Sequence, residues 1–192
     1  HRNYGYGLAK EPWVLSLDAD ERVSPQLANE LKNLLKQDAL PGNGYTIPRK
    51  NYIGRFWVRH GGWYPAYQLK LFKRDEFRYR EDEVHPAVEK LDGTPTPLKG
   101  DIIHYSYRDF SDFISKLNRQ TSLEAQKWAR TQKKISLTHV LWKTADRFFR
   151  SYIKKKGYKD GFVGFMVSVF ASWYQILSYA KYWEIRHFES KT

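Results

Sequence analysis

The stretch Trp13-Val14-Leu15-Ser16-Leu17-Asp18-Ala19-Asp20-Glu21 decides how the rest of the chain is read. Its first five residues form an apolar run of the length expected for a buried strand. The run then meets a group of carboxylates. Beyond them, Ser24-Pro25 offers a helix N-cap with proline at the first helical position. Leu27, Leu31, Leu34 and Leu35 follow at helical spacing, which predicts a helix over 25–37. Strand, acidic turn and helix in that order make a mixed α/β beginning. Asp18 and Asp20 would face opposite sides of a continuing strand, but a turn starting there lets both carboxylates converge. Two hard oxygen ligands suit Mg²⁺ or Mn²⁺, which complete their shells with phosphate oxygens and water. An acidic helix-entry turn that binds nothing has the same pattern.

Further strands are expected at Tyr45-Thr46-Ile47, Gln68-Leu69-Lys70-Leu71-Phe72 and Ile102-Ile103-His104-Tyr105. Loops are expected at Pro41-Gly42-Asn43-Gly44 and His60-Gly61-Gly62-Trp63-Tyr64-Pro65. Gly61 and Gly62 either let the backbone approach a ligand or simply turn the chain. In Glu81-Asp82-Glu83-Val84-His85-Pro86, repulsion among adjacent carboxylates makes one of them a stronger base. A solvated acidic loop has the same composition. His104 closes a strand, where a neutral imidazole can join two carboxylates around a metal or serve only as a packed core residue.

The second half changes character. Phe110, Phe113, Ile114 and Leu117 have helical spacing, with Asp109 or Ser111 as cap. Ten Lys and Arg lie between Arg130 and Lys159 with one acid, Asp146, among them. Gly161 to Ala180 carries no formal charge, although Ser168, Ser172, Gln175 and Ser178 dilute the run. Trp173, Tyr174, Tyr179, Tyr182 and Trp183 crowd its far end. Aromatic residues beside cations predict an interfacial helix pair on an anionic leaflet; a buried core helix with a solvated basic face is the other reading.

The whole chain has 192 residues, 33 Lys and Arg against 21 Asp and Glu, a net charge of +12 and 17% aromatic residues. That balance favours anionic partners. The absence of Cys excludes a disulfide scaffold and any thiolate-ligated zinc or iron–sulfur site. A mean hydropathy of -0.71 excludes a polytopic membrane protein.

Several of these motifs fall in an ordered series. Arg2-Asn3, the Trp13–Glu21 stretch, Tyr45-Thr46-Ile47-Pro48-Arg49, Gly61-Gly62-Trp63-Tyr64-Pro65, Gln68–Phe72, Val84-His85 and His104-Tyr105-Ser106-Tyr107 follow one another in the chain. The series resembles family 2 glycosyltransferases of the GT-A fold, and within them the branch that adds sugars such as glucose to heptose in the lipopolysaccharide core. The likeness covers most of residues 1–128, and Lys155-Lys156-Gly157 with Asp160-Gly161 resembles that branch's membrane-associated tail. It implies the C-terminal part of a Rossmann-like GT-A domain over 1–108 and a helical, basic and aromatic membrane-associating region over 109–192.

The resemblance also implies roles. Asp18 and Asp20 match the DxD that holds a metal and the sugar nucleotide, with His104 matching the histidine that completes the metal site. Arg2 matches a nucleotide contact, and Gly61 and Gly62 the loop beside donor sugar and acceptor. The family's acid usually follows the Val-His step, where this chain has Pro86, so Asp82 and Glu83 are the expected catalytic bases. The partners implied are a UDP-sugar and a glycolipid acceptor, at the cytoplasmic face of a bacterial inner membrane. In that family the strands binding the base precede the DxD, so a donor-binding half is expected upstream of this sequence. The competing reading, a non-catalytic basic module on a membrane surface or RNA, needs only the charge and the aromatics.

Overall fold

A computed structural model describes residues 2–37, 40–76, 78–79, 88–90 and 94–188. The chain forms two compact units: His1–Lys50 with Pro65–His104, and Asn51–Tyr64 with Tyr105–Thr192. The helices are α1 (Arg2–Gly7), α2 (Pro25–Leu34), α3 (Phe110–Arg130), α4 (Leu137–Phe149) and α5 (Gly161–Phe188). The strands are β1 (Trp13–Leu15), β2 (Glu21–Val23), β3 (Gly44–Ile53), β4 (Phe56–Val58), β5 (Ala66–Lys73), β6 (Arg78–Tyr79), β7 (Val88–Lys90), β8 (Thr96–Pro97) and β9 (Ile102–Tyr107).

The first unit is a mixed α/β layer. Its strands run in the order β1-β5-β3-β9-β2, and β8 pairs parallel with β3. The pairs β1–β5, β3–β5 and β2–β9 are antiparallel. Strand β1 is shorter and more exposed than its apolar run suggested. It sits at the sheet edge and stops at Leu15, leaving Leu17 exposed. Helix α2 starts as expected, with the Ser24 hydroxyl accepting from the Leu27 amide at 3.2 Å and Pro25 in the first turn. It ends at Leu34, earlier than the leucine spacing suggested, and Leu35 is exposed. Leu27 and Leu31 pack with Tyr45, Ile47, Leu71, Leu98 and Ile102. The backbone of Gly100 runs so close to Leu27 that any side chain there would strike the helix backbone. Glu30 fixes that approach by accepting from the amides of Lys99 and Gly100 at 3.0 and 2.7 Å.

The second unit is a β-hairpin with helices. Strand β4 pairs antiparallel with the end of β3 across Gly54-Arg55. Asp109 caps α3 by accepting from the Asp112 amide at 2.7 Å. Ile53 and Val58 of the hairpin pack with Phe113, Leu117, Val167 and Phe170, and Ala125, Trp128 and Tyr182 form a second cluster. Between α4 and α5 the chain makes a π-turn over Arg150–Lys154 and a 3₁₀ turn over Gly157–Asp160. Helix α5 packs on α3 and α4. The Lys181 ammonium reaches across to α3, bonding Asn118, Thr121 and Ser122 at 2.6–2.9 Å.

Candidate functional site

The acidic stretch after β1 folds into a turn. The Glu21 amide donates to the Asp18 carbonyl at 3.0 Å, and the Asp18 amide donates to Glu21 Oε2 at 3.0 Å. Glu21 opens β2, where register places it opposite His104 of β9. The carboxylates then divide. Glu21 is buried and takes Lys70 Nζ at 2.5 Å and Arg49 at 3.4 Å. Lys70 also reaches Asp18 at 3.3 Å, and His104 Nε2 lies 3.4 Å from Asp20 Oδ2. The Asp18 and Asp20 side chains are 35% and 46% exposed, so both remain open to a ligand from solvent.

Three carboxylates (Asp18, Asp20, Glu21) face two basic side chains, Lys70 and Arg49. Burial lowers the pKa of His104, and the neighbouring Arg49 lowers it further, against the opposing pull of Asp20 and Glu21. A neutral imidazole can accept or ligate through nitrogen.

A divalent cation fits the donor chemistry, with two solvent-open carboxylates and a neutral imidazole. The convergence is partial, since Asp18 is drawn to Lys70 and Asp20 to His104. Among the described residues no three His, Asp or Glu side chains gather as a metal group. Mg²⁺ in particular is commonly held by one or two carboxylates plus substrate phosphates, and needs no full protein cage.

The other expected site residues are placed as follows. Arg2 opens α1, which Tyr6 anchors through a 2.7 Å bond to Ser16 and an edge contact with Phe72. The Arg2 side chain, Asp82 and Glu83 lie outside the described residues. Gly61 and Gly62 belong to the second unit, with φ of 67° and 85°. There the Gly61 amide donates to the Lys155 carbonyl at 2.9 Å, and a side chain on Gly62 would overlap that of Lys155. The positive φ at both positions, with Gly61 packed close to Ser151 and Gly157, accounts for the two glycines within their own unit.

Two residues at the acidic turn were missed from the sequence. Lys70 sits in the apolar strand Gln68–Phe72, and Glu21 looked like one more turn acid. A lysine inside an apolar strand was the available signal, because such a side chain needs a buried partner.

No known family profile matches the chain. It is 24% identical over 179 residues to the lipopolysaccharide core biosynthesis glycosyltransferase LpsC of Rhizobium meliloti (strain 1021). That alignment covers 92% of this chain and 65% of the relative, so the chain spans a little under two thirds of the relative's length.

Proposed function

We propose that the chain belongs to a GT-A, family 2-like glycosyltransferase that moves a sugar from a nucleotide-sugar, a UDP-sugar by preference, to a lipopolysaccharide core or related glycolipid. The observation that carries this reading is the turn Asp18–Glu21 with His104, set at the end of a sheet strand in a chain similar to LpsC over nearly its whole length. Asp18 and Asp20 would bind the donor's diphosphate end, with Arg2 contacting the nucleotide. Asp82 or Glu83 would take the proton from the acceptor hydroxyl as its oxygen attacks the anomeric carbon in one inverting displacement. Mg²⁺ or Mn²⁺ held by Asp20, His104 and Asp18 would neutralise charge on the departing diphosphate. Lys70 and Arg49 keep the buried Glu21 paired, which holds the turn in shape.

The basic, aromatic helices would hold the enzyme at the inner face of the membrane, where such acceptors are built. The supporting observation is the one helical stretch among the described residues, Gly157–Phe188, that is long and apolar enough to cross a bilayer.

The test is release of nucleoside diphosphate from UDP-sugars by the protein carrying this chain. Asp20→Asn should lower turnover at least about a hundredfold while the fold is retained, the scale expected when stabilisation of the leaving group is lost. Undiminished turnover in that variant would overturn the assignment.

A further inference from the structure

The second unit holds a cavity that the acidic turn does not use. It is an open cavity of about 480 Å³ between the β3–β4 hairpin and the 3₁₀ turn before α5. Three exposed cations make it basic. Tyr52 pairs with Trp57 across the hairpin, and Arg55 in its turn and Arg59 just after β4 line the cavity beside them. The Arg59 guanidinium lies over the Trp57 ring at 4.5 Å. Lys159 lines the same cavity from the 3₁₀ turn.

One carboxylate is present, and it is already occupied. Asp160 is buried; Oδ2 accepts from the amides of Arg59 and His60 at 2.9 and 2.8 Å, and Oδ1 lies 2.7 Å from His60 Nδ1. This fixes the imidazole ring and leaves Nε2 as its remaining polar atom. Among the described residues, Arg55, Arg59 and Lys159 have no carboxylate partner. Three unpaired cations around one cavity call for an oxyanion, which guanidinium groups bind in a fork. The cavity is several times larger than an inorganic phosphate, and Tyr52 and His60 add groups suited to hydroxyls. Arg59 covers Trp57, which argues against a stacked nucleobase.

We infer that this cavity binds a phosphorylated saccharide, with Arg55, Arg59 and Lys159 on the phosphate and Tyr52 and His60 on the ring hydroxyls. The oxyanion stands on the three cations alone, while the saccharide rests on the proposed transferase reading.

Calorimetric titration of the full chain at low salt with glucose 6-phosphate, inorganic phosphate and glucose tests it without any donor present. Glucose 6-phosphate should bind at least threefold tighter than phosphate, and glucose should not bind measurably. Arg55→Ala/Lys159→Ala should weaken glucose 6-phosphate at least tenfold. Arg119→Ala/Lys143→Ala, which removes the same charge from exposed positions outside the cavity, should leave it within twofold. Equal loss in both pairs would reduce the effect to bulk charge and overturn the inference. Equal affinity for phosphate and glucose 6-phosphate would overturn its saccharide part and leave the transferase reading standing. Thermal melting of each variant separates lost binding from lost fold.

Discussion

Asp160 satisfies three donors with one side chain that is 4% exposed. Removing it strands two part-buried backbone amides and releases the His60 ring. Asp160→Ala should therefore destabilise the second unit by about 3 kcal/mol, the usual scale for lost hydrogen bonds to a buried charge. Urea denaturation checks this, and a loss within the noise of a surface substitution would contradict it. His104 offers a test by pH. Its folded pKa lies below the ordinary 6.5, chiefly through burial. As pH falls through 6.5 the unfolded chain takes up the proton first, so stability drops until the folded imidazole is also protonated. The slope is at most about 1.4 kcal/mol per pH unit. Denaturation midpoints of the native chain should fall faster than those of His104→Gln between pH 7 and the folded pKa. Parallel curves would refute the shift. At this scale Asp18 and Asp20 stood out in the sequence as carboxylates after an apolar run and His104 as an imidazole in a strand, although His104 lies inside β9 and not at its end, because the strand continues to Tyr107. Glu21 and Lys70 did not, because their pairing joins positions 49 residues apart and only the sheet brings them together.

Helix α5 shows an inversion that hydropathy alone hides. Ser168 and Ser178 are fully buried, with Gly164, Ser172, Gln175 and Tyr182 along the same packed side. Val167 and Phe170 are buried with them, but the other large apolar residues Phe162, Phe165, Trp173, Ile176 and Trp183 face outward. The serines that diluted the apolar run are the packing seam, since small residues let helix backbones approach. Gly164 is the extreme case, because a side chain there would collide with the Gly157 carbonyl. Serine hydroxyls return to carbonyls on the same helix, as Ser168 does to Gly164 at 2.8 Å, so they bury at little cost. Helix α4 and the π-turn add exposed Trp142, Phe149 and Ile153 beside Arg147, Arg150 and Lys154. Outward aromatics among cations suit an anionic lipid surface. The chain should co-sediment with phosphatidylglycerol vesicles. Trp142→Ser/Phe149→Ser/Trp173→Ser should reduce that binding at least tenfold, since tenfold needs only about 1.4 kcal/mol from three aromatics. Unchanged binding, or equal binding to neutral phosphatidylcholine, would count against a lipid-facing surface. The start at Ser24 was readable in advance and that of α3 was narrowed to Asp109 or Ser111, of which Asp109 is the cap, because an N-cap is local chemistry. The direction each face of α5 points was not, because hydropathy ranks residues by transfer into oil and not by how closely they let a neighbour pack.

For the molecule as a whole, the proposed function assigns the acidic turn to the donor, the basic cavity to a phosphorylated saccharide and the outward aromatic helices to a membrane surface. The two units divide that chemistry: the acidic turn belongs to the first, and the basic cavity and aromatic helices to the second. The direct test is the mass of the glycolipid made by bacteria that carry or lack this protein. Deleting the gene should shorten the lipopolysaccharide core by one sugar. The wild-type gene should restore that sugar, and the Asp20→Asn form should not. An unchanged core after deletion, or full restoration by Asp20→Asn, would contradict sugar transfer at the Asp18–Glu21 turn.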